Sequence, residues 1–355
     1  MRIVVAMSGG VDSSVAAALL AEQGHDVIGV SMQLYDQRDA SPGRTFGRCC
    51  ALEDLHDARR VAGTIGIPHY VLNLEHRFQE TVVSNFVTEY AAGRTPIPCT
   101  HCNADLKFAT LVDRAAAFGA ALVATGHYAR LDEDPETGRR RLRRGADADK
   151  DQSYFLFSLT QAQLASAMFP LGAFSKARVR EEARNRALPV AGKPDSQEIC
   201  FVSEGNYGTF VEARLSAPRP GVIADASGQV LGRHDGVHRF TVGQRKGLRL
   251  SSTEPLYVTE LRPESATVVV GARTALARAC CDLEGVNWIA GVPPGSSVRA
   301  AVQIRHRHTP GPARVTPTGP GTVRVDFDAP ERAIAPGQAA VFYDGDDVLG
   351  GGWIR

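Results

Sequence analysis

Ser8-Gly9-Gly10-Val11-Asp12-Ser13-Ser14 is the stretch on which the fold turns, because it joins a strand pattern directly to a helix pattern. Arg2 to Met7 is a short apolar run that reads as a buried strand. Asp12 to Gln23 reads as a helix with Val15, Ala16, Leu19 and Leu20 on one face, ended by Gly24. Two adjacent glycines let the backbone approach an anion closely, and the serine hydroxyls and helix N-terminal N–H groups donate to its oxygens. No Gly-Lys-Ser/Thr follows, so this is not a Walker A loop, and the third glycine of the dinucleotide fingerprint is absent. A plain serine-glycine cap would explain a loose Gly-Gly pair, but not the whole pattern between a strand and a helix.

Outward from the loop, the pattern alternates. Strands are expected at Val27 to Met32, His69 to Leu74 and Ala121 to Thr125, with helices at Glu53 to Ile65, Arg77 to Ala92 and Ala104 to Phe118. That alternation predicts an α/β domain, a doubly wound parallel sheet of Rossmann-like form whose ligands sit at the carboxyl ends of the strands. From about Ser203 short alternating segments broken by Gly and Pro replace it, such as Val298 to Ile304 and Thr322 to Phe327, with Gly291 to Gly295 and Thr309 to Gly321 read as loops. The expected division is a catalytic domain over 1–205, a small central domain over 206–277 and an antiparallel β-barrel over 278–355.

Of the 355 residues, 40 are basic and 39 acidic, a formal charge of +1, so no global field points to nucleic acid and any such contact needs local patches. Met1-Arg2 leads straight into the first strand and no apolar run approaches the roughly 18 residues of a membrane span, so the expectation is a cytoplasmic chain with no membrane partner. Seven cysteines, an odd number, then suggest chemistry or metal rather than a disulfide framework. Cys99 and Cys102 lie in Thr95-Pro96-Ile97-Pro98-Cys99-Thr100-His101-Cys102-Asn103, read as a proline-stiffened loop before a helix, where the helix dipole favours thiolate. Cys200, in Ile199-Cys200-Phe201, is distant in sequence.

The loop resembles that of the PP-loop ATP pyrophosphatases. Further matches run the length of the chain: Gly93-Arg94-Thr95-Pro96, Cys102-Asn103, Ala124-Thr125-Gly126-His127-Tyr128, Lys150-Asp151-Gln152-Ser153-Tyr154, Ile199-Cys200-Phe201, Gly243-Gln244-Arg245-Lys246-Gly247-Leu248, Pro336-Gly337-Gln338 and Leu349-Gly350-Gly351-Gly352. Together they resemble the bacterial tRNA-specific 2-thiouridylases. The resemblance implies ATP-dependent 2-thiolation of the wobble uridine of tRNAs for Lys, Glu and Gln, with Mg²⁺ and a sulfur-relay protein or cysteine desulfurase as donor. It assigns ATP to Ala6, Met7, Ser8, Gly9, Gly10, Val11, Asp12, Ser13, Met32 and Gly126. It makes Cys200 the persulfide carrier and Cys102 the nucleophile, joined by a transient disulfide. The tRNA falls to Ile97, Pro98, Cys99, His127, Lys150, Asp151, Gln152, Arg305, His306 and Gln338.

One departure bears on mechanism. The family's Asn-Pro-Asp is here Ile97-Pro98-Cys99, and Cys99, Cys102 and Cys200 resemble the cysteine triad of the iron–sulfur tRNA thiolases, so a [4Fe–4S] cluster is the alternative sulfur route. Zinc, with His101 or Cys49-Cys50, is a third. Cys280-Cys281 read as structural thiols. Other expectations are that the run Arg139 to Arg144 offers a phosphate-binding patch, that Gln303 to His308 is a strand carrying cations, that Arg245 and Lys246 sit on a turn facing RNA, and that the segment around Cys200 is mobile. A PP-loop ligase or amidotransferase, and an RNA-binding protein with an inert nucleotide fold, are the competing readings.

Overall fold

The computed structural model describes residues 1–35, 52–195, 199–202, 206–215 and 219–355. Strand β1 (Arg2–Ala6) lies at the centre of a sheet, which is why Ile3, Val4 and Val5 are all without exposure and why the run is apolar on both faces. Helix α1 (Val11–Glu22), β2 (Asp26–Gln33), α2 (Leu52–Ile65) and β3 (His69–Asn73) follow in turn. Two longer helices come next. One, α3, spans 75–91 with a π-helical middle at Gln79–Val83, and the other, α4, spans 98–117 with a π-helical segment at Cys102–Phe108. Strand β4 (Leu122–Ala124) then enters beside β1.

The chain continues through a hairpin, β5 (Ala129–Glu133) and β6 (Arg140–Arg144), a short helix α5 (Gln161–Ala165), strand β7 (Ala167–Met168) and helix α6 (Lys176–Asn185). The first sheet is wholly parallel in the order β3-β2-β1-β4-β7, reversing direction between β1 and β4. The crevice of such a sheet opens there, at the strands' carboxyl ends. The Gly-Gly loop follows β1 and Gly126 follows β4, so both line it.

Helix α7 (Tyr207–Glu212) leads to a four-stranded sheet of β8 (Gly221–Ala224), β9 (Val230–His234), β10 (Tyr257–Arg262) and β11 (Thr267–Gly271), over a small core of Ile223, Phe240, Val258 and Val268. The remaining strands are β12 (Ala277–Trp288), β13 (Val298–Gln303), β14 (Gly311–Gly319), β15 (Thr322–Arg332), β16 (Ala339–Asp344) and β17 (Asp347–Ile354). Pairing of β12 with both β15 and β17 closes them into an antiparallel barrel. Hairpin β5-β6 adds to the outside of β17, with Asp347 opposite Arg143, so the barrel and catalytic domain share one sheet.

Four expectations need correction. Residues 311–319 form a strand, with Ala313 and Val315 buried and Arg314 outward, because Pro312 and Pro317 occupy positions the strand tolerates. Conversely, the strand at Gln303 stops there, and Arg305 to Arg307 is a turn with Arg307 at φ 62°. Pro98 starts α4 at its first position rather than stiffening a preceding loop, so Cys99 and Cys102 are helical. The arginine run is largely neutralised: Arg141 and Arg143 pair with Asp132 at 2.7 and 3.2 Å, Arg143 with Asp347, and Arg144 with Asp151 at 2.9 Å, its guanidinium over the Tyr343 ring. That hairpin docks the barrel instead of offering bare cations.

Candidate active site

Gly9 holds a left-handed φ of 74°, and a Cβ there would lie 2.1 Å from the Asp54 carbonyl oxygen, so the turn admits no side chain. Gly10 is the N-cap of α1 and gives it no side-chain cap, which leaves the first helical N–H groups facing the crevice. The serines brace the loop: Ser13 Oγ accepts from the Ser8 N–H at 3.1 Å, and Ser14 Oγ donates to the Gly10 carbonyl at 2.8 Å. Val11 is buried beneath, and Ser8 is exposed at the mouth. Ala6 ends β1 half-buried, while Met7 is buried with its N–H on Val30 O at 2.8 Å and its carbonyl taking the Ser31 hydroxyl at 2.6 Å. Met32 lies inside β2, buried near the strand's end. Gly126 packs against the start of α1, where a Cβ would come within 2.7 Å of Ser13 N.

Two lysines flank this loop, and sequence reasoning missed both. Lys176 Nζ donates to both Asp12 oxygens at 2.7 and 2.8 Å and reaches Asp195 at 2.9 Å, while the Tyr128 hydroxyl donates to Asp12 at 2.7 Å. Burial, then the Asp12 carboxylate, pushes the Tyr128 phenol far up, so it remains a donor. Lys193 Nζ donates to the Gly9 carbonyl at 3.0 Å and is held by Asp54 and Asp57. Burial alone would lower its pKa, but the two carboxylates outweigh burial and raise it. Asp195 also receives Lys150 at 2.8 Å and Arg180 at 2.7 Å. Its burial favours the neutral acid, yet Lys150 and Lys176 overcome this and hold it at about 2. Lys193 and Asp195 stand in the Lys-Pro-Asp that precedes the Cys200 segment, a signal present in the sequence. Lys176 was hidden among the many charges of α6.

Cys102 is buried and Cys200 half-buried, and both pack in one apolar cluster with Phe78, Phe86 and Val211. Phe201 anchors the Cys200 segment edge-on to Phe78 and Phe86 at 5.4 and 5.1 Å, and the Tyr35 hydroxyl donates to the Cys200 carbonyl at 3.3 Å. Residues 199–202 are therefore well packed; the flanking residues 196–198 and 203–205, to which the expected mobility extends, lie outside the described residues, as do Cys49 and Cys50. Cys99 is exposed. Among the described residues no three His, Cys, Asp or Glu side chains gather into a metal-sized group, so Cys99, Cys102 and Cys200 do not fit a [4Fe–4S] cluster as placed. His101 belongs to no such group either; its Nδ1 pairs with Asp105 at 2.9 Å and its ring stacks on Trp353. Cys281 is buried in the barrel, its thiol pushed up to about 12 by burial and the neighbouring Cys280.

The remaining expected contacts divide. Ile97 and Pro98 are buried at the start of α4. The His127 ring lies between Phe108 and Phe169 with Nδ1 2.8 Å from the Thr125 hydroxyl; burial and then Lys107 bring it down to about 3, so it is neutral. Asp151 and Gln152 are engaged internally: Asp151 accepts from Arg144 and the Gly145 and Ser153 N–H groups, and Gln152 bonds the Tyr128 backbone in both directions at 2.9 and 3.0 Å. Gln338 Nε2 donates to the Thr95 carbonyl at 2.9 Å, and the Thr95 N–H to Pro336 O at 2.7 Å, tying the barrel to the entry of α4. Arg305 donates to the Arg332 carbonyl at 3.0 Å, and His306 is exposed with its ring 4.7 Å from Phe155. Arg245 and Lys246 are exposed beside a turn.

Three family descriptions match in order: tRNA methyl transferase HUP domain over residues 1–204, tRNA methyl transferase PRC-barrel domain over 208–272, and aminomethyltransferase beta-barrel domain over 278–354. A tRNA-specific 2-thiouridylase MnmA from Solibacter usitatus is 54% identical, with 99% of each chain covered. This chain belongs to the tRNA-specific 2-thiouridylase family. Family members from Acidobacterium capsulatum and Geotalea uraniireducens are each 51% identical, covering 99% and 100% of this chain and 98% and 95% of theirs. Within the 2-thiouridylase family this chain keeps the ATP-binding fold, and no helix among the described residues is long and apolar enough to cross a membrane.

Proposed function

We propose that the chain is an ATP-dependent transferase that replaces O2 of the wobble uridine by sulfur in tRNAs of the Lys, Glu and Gln types. The observation that carries this reading is the uncapped, glycine-shaped N-terminus of α1 in the same domain as two cysteines, Cys102 and Cys200, that share one apolar cluster. ATP with its Mg²⁺ binds over Ser8 to Ser13, with the nucleoside toward Met32 and Gly126. Uridine O2 attacks the α-phosphorus, the bond to the bridging oxygen breaks, and pyrophosphate leaves. The uridine then carries AMP as a leaving group.

The sulfur arrives on Cys200 as a persulfide from a sulfur-relay protein or desulfurase. Its terminal sulfur attacks C2, and AMP departs with the C2–O electrons. Cys102 thiolate then attacks Cys200 Sγ, breaking the S–S bond so that the sulfur stays on the base and a Cys102–Cys200 disulfide remains for a thiol to reduce. Neutral His127 and Ile97 to Cys99 border the base, Lys150, Asp151 and Gln152 shape the wall behind it, and Arg305, His306 and Gln338 meet the anticodon arm. The reaction belongs in the cytoplasm, where its tRNA is.

Methyl transfer, the word in two of the matching family descriptions, is the second reading. The decisive experiment incubates the protein with ATP, a persulfide donor and unmodified tRNA for Glu, followed by nucleoside mass spectrometry. The expected product is 2-thiouridine, lost at least a thousandfold in Cys102→Ser and Cys200→Ser and retained in Cys99→Ala. A methylated nucleoside from a methyl donor, or thiolation indifferent to both cysteines, refutes the proposal.

A further inference from the structure

Two ion networks flank the phosphate loop. Lys193 faces Asp54 and Asp57, with Arg60 also on Asp57, and this network supports the Gly9 carbonyl from outside. On the crevice side Lys150, Lys176 and Arg180 face Asp12 and Asp195, and Lys176 reaches both carboxylates. That ammonium lies next to the helix N-terminus that carries no side-chain cap, where the cation and the helix dipole both favour an incoming polyanion.

Lys176 is the member placed to meet that anion. Its ammonium touches both oxygens of Asp12, the second residue of α1, and the side chain as a whole keeps 12% of its surface exposed, so it is held at the rim of the crevice. Its backbone is fixed as well: the Lys176 N–H donates to Asp147 at 2.8 Å, and Ser175 caps α6 by accepting from Arg178 N–H. Asp195 and Asp12 grip the ammonium from two sides, which sets its position before any ligand arrives.

We propose that Lys176 is a substrate-binding residue of the ATP site, its ammonium taking an oxygen of the β- or γ-phosphate, with Asp195 as the positioning residue that holds it there. The inference rests on the ATP-dependent reading above. When the α-phosphorus–oxygen bond breaks, the electron pair goes to the departing pyrophosphate, and Lys176 stabilises that charge without giving up its proton. Lys193 supports the loop through Gly9 and makes no phosphate contact.

The test is calorimetric titration of Mg-ATP, AMP and Mg-pyrophosphate into the full chain, with thermal melts as a control for folding. Lys176→Met is expected to weaken ATP and pyrophosphate ten- to a hundredfold while AMP changes less than twofold, and Lys176→Arg to recover part of the loss. Asp195→Asn, which keeps the lysine but loosens it, is expected to weaken ATP three- to tenfold with AMP again unchanged, and serves if Lys176→Met does not fold. Equal losses for ATP and AMP, or unchanged ATP affinity in both variants, overturn the assignment while leaving the ATP-dependent reading intact. A wild-type chain that binds neither ATP nor pyrophosphate overturns both.

Discussion

Gly126→Ala adds one methyl group at the narrowest point between β4 and the phosphate loop. That carbon would lie 2.7 Å from Ser13 N, 2.8 Å from Asp12 C and 3.1 Å from Asp12 Cβ, against ordinary contact beginning near 3.4 Å. Two of the three neighbours are backbone, so no rotamer change relieves the crowding, and the start of α1 or the end of β4 must move by roughly 0.7 Å. Overpacking of this kind costs about 1–3 kcal/mol. If α1 yields, its N–H groups leave the geometry that suits a phosphate, and the same energy appears as about a 5- to 150-fold loss of ATP affinity. Urea denaturation together with ATP titration reads both. Affinity and stability each within experimental error of wild type would refute the claim that Gly126 is required by close approach.

Phe201→Ala empties a site ringed by Phe78, Phe86 and Phe210 and should cost about 3–5 kcal/mol in urea unfolding; because Phe201 adjoins Cys200, single-turnover sulfur transfer should slow as well, and a loss under about 1 kcal/mol would contradict the packing described. Asp195 is held at about 2 in the folded chain against about 3.9 when unfolded, so its contribution is fully present above pH 4 and is lost as pH falls from about 4 to 2. Asp195→Asn should therefore remove about 2 kcal/mol at pH 7 and little near pH 2, which acid-dependent denaturation profiles of the two proteins would reveal. Arg143→Met breaks pairs to Asp132 and Asp347 that are partly exposed, so the loss should be about 1 kcal/mol in low salt and shrink in 1 M NaCl; a salt-independent loss would mean that packing, not charge, dominates there.

The parallel sheet was legible because its central strands are buried on both faces and its connecting segments carry helical period, as at Ala58, Val61 and Ala62 in α2. The phosphate loop was legible for a different reason: Gly9 occupies a left-handed, crowded position that backbone geometry reserves for glycine. Pairings across long separations were not. Asp132, Asp346 and Asp347 lie 11 to 204 positions from Arg143, and nothing in a local charge run announces that it will be neutralised from elsewhere. The strand over 311–319 was missed because its prolines outweighed a short alternation. Lys176 shows the same limit within the site, since its role depends on Asp12, 164 residues away.

The shared sheet also sets an order of events during synthesis. Arg143 is made 204 residues before Asp347, and Arg130 is made 216 residues before Asp346. At about 5–20 residues per second, the hairpin waits roughly 10–40 s with only its locally made partners, Asp132 and Asp151. During that interval Arg130 and the second contact of Arg143 have no carboxylate to meet. Formation of β17 then completes those pairs and locks the barrel to the catalytic domain, so premature termination before Asp346 would leave an intact phosphate loop beside an unfinished hairpin edge.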